Sequence, residues 1–258
     1  MSLLENLEKA RVFDLEQPRY PGAPTHPAHA PGFNYFLHRH HARGASEART
    51  GASGLVVTPE HSGTHIDALA HQAENLKLHG GIEVDEVQTS AGFRKLSVDA
   101  MAPIVCRGVL LDVAGEKRLE PGYAITPNDL ERAARVEIRE GDAVLVRTGY
   151  ATLWSKPAEY MHDAGVSADG SRWLIERKVS VVGADNMAFD VMNGPLDHEL
   201  NATLPGHILL LVRAGIPIIE NLNLEQLAAE KVYEFLFVCL PLKMRGATGS
   251  PVRPIAIA

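Results

Sequence analysis

Apolar and polar positions alternate along this chain in short strand-like runs first and in longer helical periods later. Leucines at 3, 4 and 7 predict a short amphipathic helix over residues 1–10, and RVFDL (11–15) reads as a strand. Residues 17–32 hold five prolines and two glycines and break any period, so they predict an irregular loop. FNYFLHRH (33–40) and LVVTP (55–59) read as strands on either side of a small-residue loop with Gly44, Gly51 and Gly54, so 17–54 is a loop-rich extension. LKLHGG (76–81) ends in a double-glycine turn.

The second half has longer elements. RGVLLDVAG (107–115), DAVLVRTG (142–149) and VSVVGAD (179–185) predict strands. A helix opens at Thr126 as N-cap, with Pro127 in its first position and Asp129 in its first turn. Another helix is expected near 168–177. In GHILLLVRAGIPIIENLNLEQL (206–227), HILLLVRA has helical length and stops at Gly215, IPIIE is a buried strand, and Asn223 with Gln226 forms a loose capping box for a last helix. Eight helical residues rise about 12 Å and five strand residues return about 16 Å. A reversal at Gly215 therefore brings Glu220 back beside His207. Strand and helix alternate here, which predicts an α/β layered domain with a mixed sheet covered by helices. No linker or repeat divides the chain, so one domain spans 1–258.

The densest chemistry lies in HSGTHIDALAH (61–71), with His61, His65, Asp67 and His71 at offsets 0, 4, 6 and 10. A helix would split these residues between two faces, whereas an extended chain sends all four to one side. His65 and Asp67 would stand about 6.6 Å apart along a strand, close enough to share an ion. His61 is too far on a straight strand, and Gly63 supplies the bend that returns it. Packed imidazoles and a carboxylate are costly to bury without a metal or full hydrogen bonding. Histidines and carboxylates without cysteine suit a divalent ion, Mn²⁺, Zn²⁺ or Fe²⁺, in an open catalytic site. His26, His29, His38, His40 and His41 show no ordered spacing and read as solvated or lid residues. His79 is one more candidate near the site, and Phe33, Tyr35 and Phe36 are candidates for lining a substrate pocket. Ser62 has no G-x-S-x-G elbow and is not read as a nucleophile.

Composition narrows the partners. Net charge is −7, and the basic residues of ERAARVEIRE (131–140) alternate with acidic ones, which argues against nucleic acid and anionic membranes. Cys106 and Cys239 sit in apolar runs and read as buried small hydrophobes in a reducing compartment. The N-terminus lacks a basic n-region with an apolar core, and no apolar run is long enough to span a bilayer. A cytoplasmic location is expected.

HSGTHIDALAH resembles the H-x-G-T-H-x-D-x-P-x-H signature of the cyclase-like metal-dependent hydrolases, the family of bacterial kynurenine formamidase and isatin hydrolase. His207, Glu220, RTG (147–149), GAD (183–185) and GSPVR (249–253) are similar to that family too, and the likeness runs from about Val12 to the C-terminus. It implies a swivelling β/β/α fold, a homodimer or higher oligomer, and a small-molecule substrate whose amide or lactam C–N bond is hydrolysed by metal-activated water. By position it implies His61, His65 and Asp67 around one ion, and Asp67, His71, His207 and Glu220 around a second. His71 is then either a ligand or the general base. Leu69 replaces the signature proline, and the extension before the motif is long; both resemble the isatin hydrolase branch, which holds a single manganese. Glu220 points instead to two ions. A lactone hydrolase of the dienelactone type is the nearest alternative, and a non-catalytic metal-binding protein is a second.

Overall fold

A computed structural model describes residues 9–44, 46–192 and 194–258. The helix expected over 1–10 falls almost wholly outside the described residues. Nine strands form one mixed sheet, in the order Val12–Asp14, Ile255–Ile257, Glu234–Cys239, Ile104–Asp112, Ala143–Arg147, Val181–Ala184, Ile218–Glu220, His65–Asp67 and Gly249–Pro251. The four from Ile104–Asp112 to Ile218–Glu220 run parallel, and the flanking pairs are antiparallel. Among the described residues, no helix is long and apolar enough to cross a membrane.

Alternation along the central strands explains two cores. Val109, Leu111, Val144, Val146, Val182 and Ile218 face one layer, where Leu130, Trp173, Leu174, Leu210 and Leu211 cover them. Leu110, Leu145, Ile219, Phe235 and Phe237 face the other, packed with Phe13, Leu15, Ile66, Leu222 and Leu227. Parallel strands covered on both faces need apolar residues along their length, which is the composition of AVLV, before Arg147 ends its strand, and of VVGA. This is the α/β arrangement that the element order predicts.

Local expectations hold unevenly. Thr126 forms a reciprocal capping box, its hydroxyl accepting from Asp129 N and its backbone N–H donating to Asp129 Oδ2 (2.9 Å). The helix expected near 168–177 spans Ala168–Glu176, with Ser167 as its N-cap. The helix over Pro205–His207 continues as a wider π-type turn over Ile208–Ala214 and ends at Gly215, φ +71°. The Asn223–Gln226 box does not form. The last helix begins at Glu225, so Gln226 lies too early in it to reach back, and its amide donates to Glu230 (3.2 Å). The extension contains an antiparallel hairpin, Asn34–Arg39 with Ser53–Val57, outside the main sheet. Tyr35, Phe36, Leu55 and Val56 are exposed on it. Cys239 is buried, with its thiol pushed up to about 12 by burial, and Cys106 is half-buried.

Candidate metal centre

One corner of the sheet gathers the motif. His65–Asp67 pairs antiparallel with Ile218–Glu220, Glu220 opposite His65 and Ile66 opposite Ile219. The twofold period of a strand then sends Ile66 and Ile219 into the apolar layer and His65 and Asp67 to the other face. The extended geometry covers only these three residues. Gly63 (φ +66°) makes the expected bend that returns His61, while His71 arrives through a turn in which its N–H donates to Ala68 O (2.9 Å). Gly249, on the far side of the motif strand, leaves room for His61: a Cβ there would lie 2.6 Å from its ring.

All six side chains expected at the site converge. His61 Nδ1 lies 2.7 Å and His65 Nε2 3.4 Å from Asp67 Oδ1, while His207 Nε2 and His71 Nε2 lie 3.6 and 3.9 Å from Asp67 Oδ2. Glu220 spans the same division, with Oε2 3.3 Å from His65 Nε2 and Oε1 3.3 Å from His207 Nε2. The helix–strand reversal at Gly215 thus brings Glu220 to His207, as the element lengths predict. His61, His65 and Asp67 are close enough to hold one ion, and so are Asp67, His71 and His207.

Hydrogen-bond bookkeeping shows what these groups lack. His65 Nδ1 must donate to Gly63 O (2.8 Å), because a carbonyl only accepts. His207 Nδ1 must donate to Asp190 Oδ2 (2.8 Å). Thr248 gives its one hydroxyl proton to Glu60, so it accepts from His61 Nε2 (2.9 Å). Each neutral ring therefore turns a lone pair inward, toward two carboxylates that also only accept. Asp67 Oδ2 and Glu220 Oε1 are buried with no hydrogen-bond partner. Acceptors facing acceptors in a buried place require protons or a cation between them. The nitrogen and oxygen donors, without sulfur, fit a divalent ion such as Zn²⁺ or Mn²⁺.

Protons take that place when no metal is present. Burial opposes charging His65, but hydrogen bonds to Asp67 and Glu220 outweigh it and push its pKa to about 10. His207 is raised by Asp190 and Glu220 against the same burial. Asp67 and Glu220 are both lowered: burial, and for Glu220 the charge of Asp67, work against this, and the histidines prevail. His71 is different. Burial pulls it down to about 3, so its ring is neutral.

Several partners escaped the sequence reading. Asp190 accepts from Gly206 N, His207 N and His207 Nδ1, and Gly206 admits it, since a Cβ would sit 2.6 Å from its carboxylate. Glu60 and Thr248 hold His61, and Gln72 Nε2 lies 3.2 Å from His71 Nε2. No local pattern marks Asp190; Thr248 directly precedes GSPVR, and that adjacency was its one signal. His29, expected to be solvated or a lid, is half-buried and stacks on His61 (ring centroids 4.8 Å apart), with burial lowering its pKa to about 4. It forms a third possible ligand group with His61 and His71. His38, His40 and His41 are exposed. His79 lies elsewhere, bonded to Val212 O (2.9 Å). A cavity of about 250 Å³ opens onto the centre, lined by His26, His29, Met187, Ala188 and Leu204 beside the site residues. Phe33, Tyr35 and Phe36 do not line it; Phe33 leads into the exposed hairpin, which carries Tyr35 and Phe36. Ser62 is buried, its carbonyl held by Arg19.

RTG and GAD have a structural explanation. Asp185 accepts from Thr148 N (2.6 Å), Thr148 Oγ1 (2.7 Å) and Gly149 N (2.9 Å), locking two parallel strands together at their ends.

Comparison with known proteins places the chain among relatives of one family and fold. The Cyclase family model ("Putative cyclase") matches residues 13–191. Cyclase-like protein 3 of Oryza sativa subsp. japonica is 29% identical over 205 residues, 77% of this chain and 63% of its own length, so the chain spans less than two thirds of that relative. Kynurenine formamidase of Sphingopyxis alaskensis is 26% identical over 252 residues, 95% of this chain and 97% of its own. A crystal structure of a novel cyclase superposes with a TM-score of 0.85 at 26% identity, covering 99% of this chain and 91% of that one. Isatin hydrolase A from Ralstonia solanacearum shares the fold, with a TM-score of 0.75 at 24% identity over 100% and 98% of the two chains.

Proposed function

The chain belongs to the Cyclase family, and from that premise we propose that it is a metal-dependent amidohydrolase opening the C–N bond of a small linear amide or lactam. The observation that carries this reading is the set of inward lone pairs on His61, His65 and His207 facing Asp67 and Glu220, with two buried carboxylate oxygens left unpaired. In the reading, His61, His65 and Asp67 hold one divalent ion, and Asp67, His71, His207 and Glu220 offer places for a second. A bound divalent ion would supply Lewis acidity, lowering the pKa of a coordinated water and polarising the scissile carbonyl.

The chain's own residues do the rest. Asp190, Gly63 O and the Thr248–Glu60 pair fix which nitrogen of each ring faces the centre. His71 stands at the edge of the centre, more exposed than the other rings, and lines the cavity, so we assign it the proton transfer. It would accept a proton as the nucleophile forms and return it to the leaving nitrogen, without which an amine anion would have to depart. Kynurenine formamidase among the relatives and isatin hydrolase among the structural neighbours support amide and lactam chemistry. The reading also carries a homodimer or higher oligomer, supported by the hairpin whose Tyr35, Phe36, Leu55 and Val56 stand exposed. Light scattering checks it, and a monomer at micromolar concentration contradicts it.

The deciding assay offers isatin, N-formylkynurenine and a dienelactone to protein loaded with Mn²⁺ or Zn²⁺. Turnover of either C–N substrate supports the proposal. Turnover of the lactone alone replaces it with ester chemistry, and bound metal with no turnover leaves a metal-binding protein.

A further inference from the structure

The wall of imidazoles formed by His29, His61 and His71 has a cavity on each side. The inner one, about 250 Å³, reaches Glu220 and His207. The outer one, about 610 Å³, is walled by Pro59, Leu242, Met244 and Pro251, with Glu60 and Thr248 beside the rings. Among the described residues lining the two cavities there is no lysine or arginine; the carboxyl side chains there are Glu60 and Glu220. Glu60 keeps about a third of its side chain exposed while Thr248 engages its Oε1, so its charge is presented to the outer cavity.

We propose that the outer cleft holds the non-reacting part of the substrate and selects uncharged acyl compounds, neutral lactams and anilides, against analogues that carry a carboxylate on that part. This rests on the amidohydrolase reading. A carboxylate entering the cleft gives up hydration to apolar walls with no lysine or arginine to receive it. It also meets the like charge of Glu60 at short range, where screening by bulk water is reduced. A neutral ring of the same size pays neither cost and packs on Leu242 and Met244.

A matched pair tests this. Metal-loaded protein is assayed with 3-methylformanilide and 3-formamidobenzoate, which share the scissile bond and differ in charge at the meta position. The neutral compound is expected to have a kcat/KM about 100-fold higher, mostly through KM, as like-charge juxtaposition predicts. Leu242→Arg places a cation on the cleft wall at an exposed position outside the ligand set. It should raise kcat/KM for the carboxylate at least tenfold and lower it for the neutral anilide, which loses its packing on Leu242, so the ratio between the two narrows from both sides. Equal or better turnover of the carboxylate by the wild type overturns the proposal, as does a ratio that Leu242→Arg does not move. If neither compound is hydrolysed by metal-loaded protein, the isatin and N-formylkynurenine assay decides the amidohydrolase reading, and calorimetry on the same pair decides the selectivity. Tighter binding of the neutral compound, narrowed by Leu242→Arg, supports it; equal affinity unaffected by the variant refutes it.

Discussion

Two buried polar clusters lie at neighbouring strand ends, and they differ in how completely their groups are paired. Around Asp185 every carboxylate oxygen meets a donor: Thr148 N, Thr148 Oγ1 and Gly149 N on Asp185, and Met187 N and Met192 N on nearby Asp163, while the amide oxygen of Asn186 stays unpaired. Arg147, in the same strand, is held by Asp112, Gly115 O and Glu225. Around Asp67 acceptors face acceptors, and two carboxylate oxygens have no partner. Asp67 and Asp185 are both fully buried, so burial of the carboxylate does not distinguish them. Unfinished pairing does: the first is scaffold, and the second is arranged to receive something positive.

The largest expected effect comes from the residue shared by both halves of the centre. Asp67→Asn should abolish metal binding and lower hydrolysis by about 10³-fold or more, since it removes the charge shared by both ligand groups; metal analysis and kinetics check it. In the satisfied cluster, Thr148→Val should instead cost about 1–3 kcal/mol of stability by stripping a buried hydrogen bond from Asp185. Metal stoichiometry should not change. A Thr148 variant that loses metal would erase the distinction between the two clusters.

Asp190→Asn and Thr248→Val probe the outer partners of His207 and His61. Each should weaken metal affinity by about 10- to 100-fold, because the ring is no longer held with its lone pair inward. Competition with a chelator measures this, and unchanged affinity in both variants contradicts the assignment of ring tautomers.

Acidity separates the clusters more gently. The raised pKa of His65 means that the metal-free native state holds a proton the unfolded chain releases near 6.5. The resulting stabilisation is full below pH 6.5 and is lost as pH rises through about 10. Burial raises Asp163 to about 7 and Asp185 to about 6, so their contribution falls in a lower window, from about pH 4 up to 7. Thermal melts across pH should show both declines in metal-free protein. Metal should flatten the alkaline one only, because it replaces the proton on His65.

How much of this was legible follows from how local each signal is. The motif strand, the bend at Gly63, the stop at Gly215 and the meeting of His207 with Glu220 depend on spacing within a few residues or on element length. Asp190 could not be read that way. It lies 17 positions before His207 and reaches it through the gap that Gly206 leaves beside the helix start. His29 sits in a proline-rich loop with no period, so only tertiary packing distinguishes it from His38 or His40. The Asn223 cap failed because its helix begins one residue later than the local pattern suggests. Phe33, Tyr35 and Phe36 are near the motif in sequence, but a hairpin of its own separates them from it in space.

The most direct test is a calorimetric titration of metal-free protein with Zn²⁺ or Mn²⁺ at pH 7.5, repeated in buffers of different ionisation enthalpy. One or two ions should bind per chain with net release of protons, since the proton on His65 must leave before its Nε2 can ligate, and Asp67→Asn should bind none. A folded protein that takes up no divalent ion, or takes it up without proton release and equally well without Asp67, would contradict the account.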